Sequence, residues 1–343
     1  MKQGLPRNCK YKVRIQCSTY NHSCYIEDTL RGFSMQQTNF PFVCCVMDDA
    51  STDGEQEVLR RWIDNHCNAG DVEVYDHPLA IVFMAPDREN RNCIYAIHLL
   101  KYNTWGKPER LELLEHWRKL CEYEARCEGD DYWTDPLKLQ KQVDILENNE
   151  EYGCVYTAYK TIDTMGNPIE FLPSRHHMNR SYTGDIFYEL LVDNFPQTLT
   201  VMFRKGLIER FSPPYNFDYA QFLSIAIQKK FYYIPEVTGA YRINPRGMVQ
   251  SGALRKRFDF ISVKLYFYIE YLRNKCYRRS KCDDKKIRNV IYDTKIWNIQ
   301  TLRRYFPYFM KIVYYRPYDI VRLVYSIVVN TFEIIIKKLR FLK

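Results

Sequence analysis

Cys127-Glu128-Gly129-Asp130-Asp131-Tyr132-Trp133 sets three carboxylates around one glycine at what reads as a strand end, with two large aromatics behind them. Like charges this close raise one another's pKa unless a cation offsets them. The run therefore predicts a bound hard divalent ion, and magnesium or manganese with a phosphate suits an all-oxygen donor set.

Upstream, Val13, Ile15 and Cys17 alternate with Lys12, Arg14 and Gln16, the two-residue period of a strand with one apolar face. A turn follows at Ser18-Thr19-Tyr20-Asn21. Ile26, Leu30 and Phe33 then recur at helical spacing, and Phe40 to Met47 is a compact apolar run ending at Asp48-Asp49. Val58, Leu59, Trp62 and Ile63 mark a second helix, and Ile81 to Met84 another short strand. Alternating elements imply a largely parallel sheet, in which ligands sit beyond the carboxyl ends of the strands. Asp48-Asp49 and Glu128 to Asp131 both fall at such ends, so carboxylates far apart in sequence are expected to face one crevice. On the strand before the acidic run, Glu124 and Arg126 point to one side, and their burial requires that they meet each other or other partners.

The chain has 343 residues, 46% hydrophobic, enough for a large α/β domain with an appendage. Its twelve cysteines are scattered, include the adjacent pair Cys44 and Cys45, and form no Cys-x-x-Cys motif, which reads as reduced thiols in a cytoplasmic protein. Met1 to Lys12 has no apolar core of a secretory signal. The net charge of +9 is uneven, because Lys and Arg dominate after about Arg242, and phosphate-bearing partners or an anionic membrane suit this asymmetry. No zinc-finger, RNP-like or helix-turn-helix pattern supports a nucleic-acid partner.

Ser18-Thr19-Tyr20-Asn21, Asp48-Asp49-Ala50-Ser51-Thr52-Asp53, Glu128-Gly129-Asp130-Asp131-Tyr132-Trp133 and Asp135-Pro136-Leu137-Lys138-Leu139-Gln140-Lys141-Gln142, in this order and spacing, resemble the family 2 glycosyltransferases of the GT-A fold, of the bacterial polysaccharide-biosynthesis type. The resemblance spans about Tyr11 to Arg246, with Thr200 to Lys205 and Gly239-Ala240-Tyr241-Arg242 included. It implies an α/β fold with a mostly parallel central sheet flanked by helices, residues 1–250 forming the nucleotide-sugar-binding and catalytic domain, and 251–343 a basic helical extension.

The resemblance also implies roles. Sugar transfer from a nucleotide diphosphate requires gripping the nucleoside, neutralising the departing diphosphate and deprotonating the acceptor hydroxyl. Thr19, Tyr20, Asn21 and Asp49 match the nucleoside-holding positions, with Asp48 a supporting neighbour. Glu128 and Asp130 match the Asp-x-Asp metal motif for Mn2+ or Mg2+, with Asp131 beside them. Asp218, after Phe217 and ahead of the helix-like Phe222, Leu223, Ile225 and Ala226, matches the general base of inverting members; a helix cap is the plain reading of the same residue. Asn103 and Lys107 resemble a nucleotide-side loop and read equally well as a solvated turn. Arg242 suits either the diphosphate or a loop-anchoring salt bridge. The expected reaction is transfer from a UDP-sugar to a hydroxyl of a glycan or lipid-linked saccharide, and the alternative is a non-catalytic sugar-nucleotide-binding scaffold.

In the tail, Asp319, Arg322, Ser326, Asn330, Glu333, Lys337 and Arg340 step by three or four and form one polar stripe on an otherwise apolar helix. Charges argue against a spanning helix. The wide apolar face, with Lys337, Lys338, Arg340 and Lys343 at its end, suits either peripheral contact with the inner face of the cell membrane or packing on protein.

Overall fold

The computed structural model describes residues 2–5, 10–169, 182–213, 217–244, 253–274, 281–292, 297 and 299–341, with side chains 253–258, 281–283, 299–300 and 337–341 excepted. His176-His177, adjacent histidines that make a poor metal pair, lie outside this set. The chain forms two compact units: 1–184, 195–206 and 230–247 make the first, and 185–194, 207–229 and 248–343 the second.

The first unit is built on one sheet. Its elements are β1 (Lys2–Gln3), β2 (Tyr11–Thr19), α1 (Ile26–Ser34), β3 (Phe42–Asp48), α2 (Glu55–His66), β4 (Glu73–Asp76), β5 (Ala80–Pro86), β6 (Cys93–Leu100), α3 (Glu109–Lys119), β7 (Cys121–Arg126), β8 (Tyr132–Trp133), α4 (Lys138–Asn148), β9 (Tyr152–Ile162), β10 (Met202–Arg204) and β11 (Lys230–Arg242). The strand order is β1-β4-β5-β6-β3-β2-β7-β10-β9-β11-β8. The central four, β6-β3-β2-β7, are parallel. β5, the expected strand around Ile81 to Met84, runs antiparallel to β6, and β10 runs antiparallel to β7.

Period-two alternation divides the core between the two faces of the sheet. Val13, Ile15 and Cys17 of β2 and Phe42, Cys44 and Val46 of β3 pack with Leu30 and Phe33 of α1, Leu59 and Trp62 of α2, and Leu139 and Val143 of α4. On the other face Val43, Cys45 and Met47 pack with Leu113 and Trp117 of α3. The nine described cysteines are free thiols, all but Cys24 buried.

Three charged positions of β2 and β7 lie within this fold, whereas Glu122 at the start of β7 is exposed. Arg14, Glu124 and Arg126 are all buried, and the register sets Arg14 beside Glu124. Glu124 receives Arg126 Nη2 at 2.7 Å and Nε at 3.0 Å, and Arg118 Nε of α3 at 3.2 Å, with Arg14 Nη1 at 3.5 Å. Arg14 also donates to Leu114 O at 2.8 Å and to Gln16. Burial works to raise the Glu124 carboxyl, but the charges of Arg14, Arg126 and Arg118 outweigh it and hold the group at about 2. Both expected routes to burial are taken: Glu124 and Arg126 meet each other, and Arg14 and Arg118 join them.

The second unit is helical: α5 (Phe187–Val192), α6 (Asp218–Ala226), α7 (Ala253–Arg273), α8 (Lys281–Tyr292), α9 (Ile299–Tyr315) and α10 (Ile320–Phe341). Its interior holds Leu190, Leu191, Phe222, Leu223, Phe267, Tyr268 and Ile291. Tyr219 closes α6 onto α5, its hydroxyl donating to Leu190 O at 2.8 Å.

Candidate active site

β2 lies between β3 and β7, and successive strands leave it in opposite directions, so a crevice opens at the carboxyl ends of these three strands. Thr19 and Asp48 are register partners at that rim. Cys127 N donates to Gln16 O and Gly129 N to Ser18 O, which carries the acidic run onto the end of β2.

The turn after β2 is organised around a carboxylate that sequence reasoning missed. Glu55, buried at the start of α2, accepts hydrogen bonds from the Thr19 hydroxyl, from His22 N at 2.9 Å and from Ser51 Oγ at 2.9 Å. Burial pushes its pKa up to about 7, against these three hydrogen bonds and with some help from Asp48. In sequence it is only one acidic residue in the first turn of a helix, which is common for dipole reasons. Asn21, at φ 58°, accepts from Thr52 N at 2.8 Å, while its own N donates to Ser51 Oγ at 2.9 Å. Asn21 thus joins the two loops. Tyr20 is exposed at the rim.

Asp48 and Asp49 are both buried, and they differ in partners. Asp48 Oδ1 receives Ser51 N at 3.1 Å and Gln56 Nε2 at 2.6 Å, closing its own loop. Asp49 Oδ1 receives Thr104 N at 2.7 Å and Thr104 Oγ1 at 2.8 Å, while Oδ2 pairs with Arg110 Nη1 at 3.0 Å. Arg110 Nη2 reaches Ser18 Oγ at 3.0 Å, and its guanidinium lies 5.7 Å from the exposed Trp105 ring. Asn103 Nδ2 donates to Asp49 O at 3.2 Å, so the 103–107 segment is fastened to Asp49. The exposed Lys107 lies with Nζ 4.7 Å from the Tyr102 ring. Arg110 carried no signal in the sequence, since it belongs to no local pattern that points across the sheet, whereas Thr104 lies inside the Asn103 to Lys107 stretch that the resemblance marked without being singled out.

The acidic turn is held from below and behind. Gly129 faces Thr19 so closely that a Cβ there would stand 2.1 Å from Thr19 Oγ1. Thr29 Oγ1 donates to Asp131 O at 2.6 Å and Gly129 O at 3.1 Å. Asp131 is buried, and its Oδ1 accepts Arg242 N at 2.8 Å; burial, then the charge of Asp130, pushes its carboxyl well above the usual range. Arg242 is the anchor of this turn: Nε donates to Asp130 O at 2.8 Å, Nη1 to Asp163 O and Thr164 O, Nη2 lies 3.4 Å from Asp28 Oδ2, and the guanidinium sits 4.4 Å from the Tyr25 ring. Asp130 Oδ2 has His22 Nε2 at 3.6 Å and accepts Asn244 Nδ2 at 3.2 Å. Burial pushes His22 toward its neutral form. Glu128 and Asp130 are partly exposed, whereas Asp131 is not.

Of the two aromatics, Trp133 is a core plug: its Nε1 donates to Leu199 O at 2.9 Å and its ring meets Phe33 edge-on at 5.1 Å. Lys138 is buried beneath that ring and donates to Gln142 Oε1 at 2.6 Å, so this part of the 135–142 motif is packing.

Among the described residues no group of three His, Cys, Asp or Glu side chains is arranged as a metal cage. The donor set nonetheless fits an ion of the magnesium or manganese kind, which is commonly held by one or two carboxylates completed by substrate phosphates and water. Asp218 is the first residue of α6, in the second unit, with Phe217 at the cap position.

No family model matches the chain. An uncharacterized protein of Mycobacterium tuberculosis is 27% identical over 248 residues, 70% of this chain; the chain spans only 61% of that relative's length. TuaG of Bacillus subtilis, assigned to teichuronic acid biosynthesis as a glycosyltransferase, is 26% identical over 244 residues, covering 69% of this chain and 81% of TuaG. Among solved structures, S. aureus TarS in complex with UDP-GlcNAc superposes with a TM-score of 0.50 at 16% identity, over 86% of this chain and 73% of that one. The mannosyltransferase PcManGT of Pyrobaculum calidifontis, in complex with GDP-Man and Mn2+, gives 0.50 at 16% identity, over 94% and 88%. The fold is that of the GT-A glycosyltransferases, as the motifs led one to expect, and these named neighbours are glycosyltransferases.

Proposed function

We propose that the protein transfers a sugar from a nucleotide diphosphate sugar, of the UDP class, to a hydroxyl of a glycan or lipid-linked saccharide, with inversion at the anomeric carbon. The observation that carries this reading is the convergence of Thr19, Asp49 and the Glu128–Asp131 turn at the carboxyl ends of β2, β3 and β7. TarS with UDP-GlcNAc and PcManGT with GDP-Man support a nucleotide diphosphate sugar as donor, and TarS supports the UDP class.

Asp49 Oδ2, which accepts from Arg110, keeps a further acceptor position for a nucleobase N–H, and Thr104 and Arg110 hold the carboxylate in that orientation. Tyr20 and the 103–107 segment flank the nucleoside. Glu128 and Asp130 would hold a divalent ion together with the diphosphate. When bound, such an ion offsets the charge that develops on the leaving group. Asp131 and Arg242 keep the turn in place. The motif resemblance is what supports Asp218 as the general base, the group that accepts the proton of the acceptor hydroxyl as its oxygen attacks the anomeric carbon. The protein works peripherally at the cytoplasmic face of the membrane.

The test is release of nucleotide from a panel of nucleotide sugars with Mn2+. Asp130→Ala and Asp218→Ala are each expected to lower turnover by at least about a hundredfold, and full activity in both variants would sink the assignment. Calorimetry with UDP and Mn2+ separates the scaffold alternative, for which tight binding accompanies no turnover on any acceptor.

A further inference from the structure

Helix α10 packs with its polar side inward. Asp319, just before the helix, accepts from the Tyr292 hydroxyl at 2.7 Å; Arg322 Nη1 donates to Asn289 Oδ1 at 3.0 Å; Ser326 Oγ donates to Tyr292 O at 2.8 Å; and Asn330 Nδ2 donates to Trp297 O at 3.0 Å. From Asp319 to Asn330 the polar stripe legible in the sequence is therefore the packing face, while Glu333 beyond it is exposed. Its opposite side presents Val321, Val324, Tyr325, Val328, Phe332 and Ile336 at three- and four-residue steps, with Val321 75%, Tyr325 68% and Phe332 61% exposed. On α9, Phe306, Met310 and Tyr314 recur every four residues and are also exposed. Single exposed hydrophobes are ordinary in a soluble protein, whereas a helix that gives its polar groups to the interior and its apolar groups to the outside needs an apolar environment there.

Charge identifies that environment. Residues 299–341 contain eight Lys or Arg against two Asp or Glu, and Arg303 and Lys311 stand exposed on α9. A second copy of the same helix would bring like charges together, while a surface of anionic lipid complements them. The exposed tyrosines Tyr314, Tyr318 and Tyr325 suit the headgroup level, where an aromatic ring and its hydroxyl are both accommodated. No helix among the described residues is long and apolar enough to cross a membrane. We infer that the outward face of α10 docks in the plane of an anionic lipid surface, inserting Val321, Tyr325 and Phe332, with Arg303 and Lys311 of α9 against the headgroups. This deepens the lipid-linked acceptor reading given above.

The experiment is flotation of the full chain with vesicles of phosphatidylcholine alone or mixed with phosphatidylglycerol, in the absence of any donor or acceptor. The wild type is expected to float with the mixed vesicles and to lose binding as salt rises. The combined Val321→Ser, Tyr325→Ser, Phe332→Ser variant is expected to bind at least about tenfold more weakly. Arg303→Gln with Lys311→Gln is expected to bind more weakly and with a shallower salt dependence. Thermal melts check folding, and Tyr325→Ser alone, expected to lower binding by a smaller factor, replaces the triple variant if that one does not fold. A wild type that does not float, or a folded face variant that floats unchanged, overturns the inference. So do dimers in sedimentation velocity that the face variant dissociates in the absence of vesicle binding, which would make a second copy the occupant. Because no sugar nucleotide is present, a failure here is distinct from a failure of the transferase reading.

Discussion

Glu124, within β7, and Asp130, just past its end, are only six residues apart, and the fold treats their charges in opposite ways. Glu124 is enclosed with Arg14, Arg118 and Arg126, and its carboxyl is held at about 2. Asp130 meets His22, which burial keeps toward neutral, and the amide of Asn244, while the guanidinium of Arg242 is engaged by backbone carbonyls and Asp28. A charge answered within the chain belongs to the architecture. One that is met by neutral donors at the mouth of a crevice is the kind that the proposed function gives to a ligand, and the contrast separates the two kinds of acid more clearly than burial alone.

The largest effect expected of this contrast is on stability. Removing Glu124 as Glu124→Ala leaves buried guanidinium groups facing one another and should cost about 3–5 kcal/mol in urea unfolding. Asp130→Asn removes a charge that pushes on Asp131 and should leave the midpoint unchanged or slightly higher. Equal losses in the two variants would break the comparison.

Glu55 occupies the middle ground, because it is buried yet supplied with neutral hydrogen-bond donors. Its pKa of about 7 in the folded chain exceeds the ordinary carboxyl value of 4.5, so between these values the folded protein holds a proton that the unfolded chain has released. Its contribution is thus fully present below about pH 4.5 and is lost as pH rises through about 7, a loss of roughly 2–3 kcal/mol across that window. Glu55→Gln should flatten the dependence of unfolding free energy on pH there, and an unaltered slope would mean that other groups govern it.

A smaller effect is expected at Gly129. Its Cα faces the Thr19 side chain, and Gly129→Ala should cost about 1–2 kcal/mol as that contact gives way. In the proposed reading Thr19 lines the nucleoside side, so the same variant should raise KM for the donor more than it lowers kcat. A change confined to kcat would separate Thr19 from donor binding.

Much of this was legible in the chain itself. Two-residue alternation marked β2, the apolar run marked β3, and the acids at their ends marked the rim, because each signal is local and repeats with the geometry of its own element. The pairing of Glu124 with Arg126 followed from the same alternation. What the alternation did not reveal was that α3 brings Arg118 over the strand and Arg14 comes in from β2, so the stretch of that face carrying Glu124 and Arg126 is covered.

The sequence by itself determined which residues share a face and where strands end. Tertiary structure decided what each face meets. Arg110 reaches Asp49 from 61 positions away only because β3 and α3 come together, and Glu55 governs the first turn only because α2 begins beneath it. For α10, helical period fixed a polar stripe and an apolar stripe, but period is blind to direction. The packing of Tyr292, Asn289 and Trp297 against the polar side turned the apolar one outward.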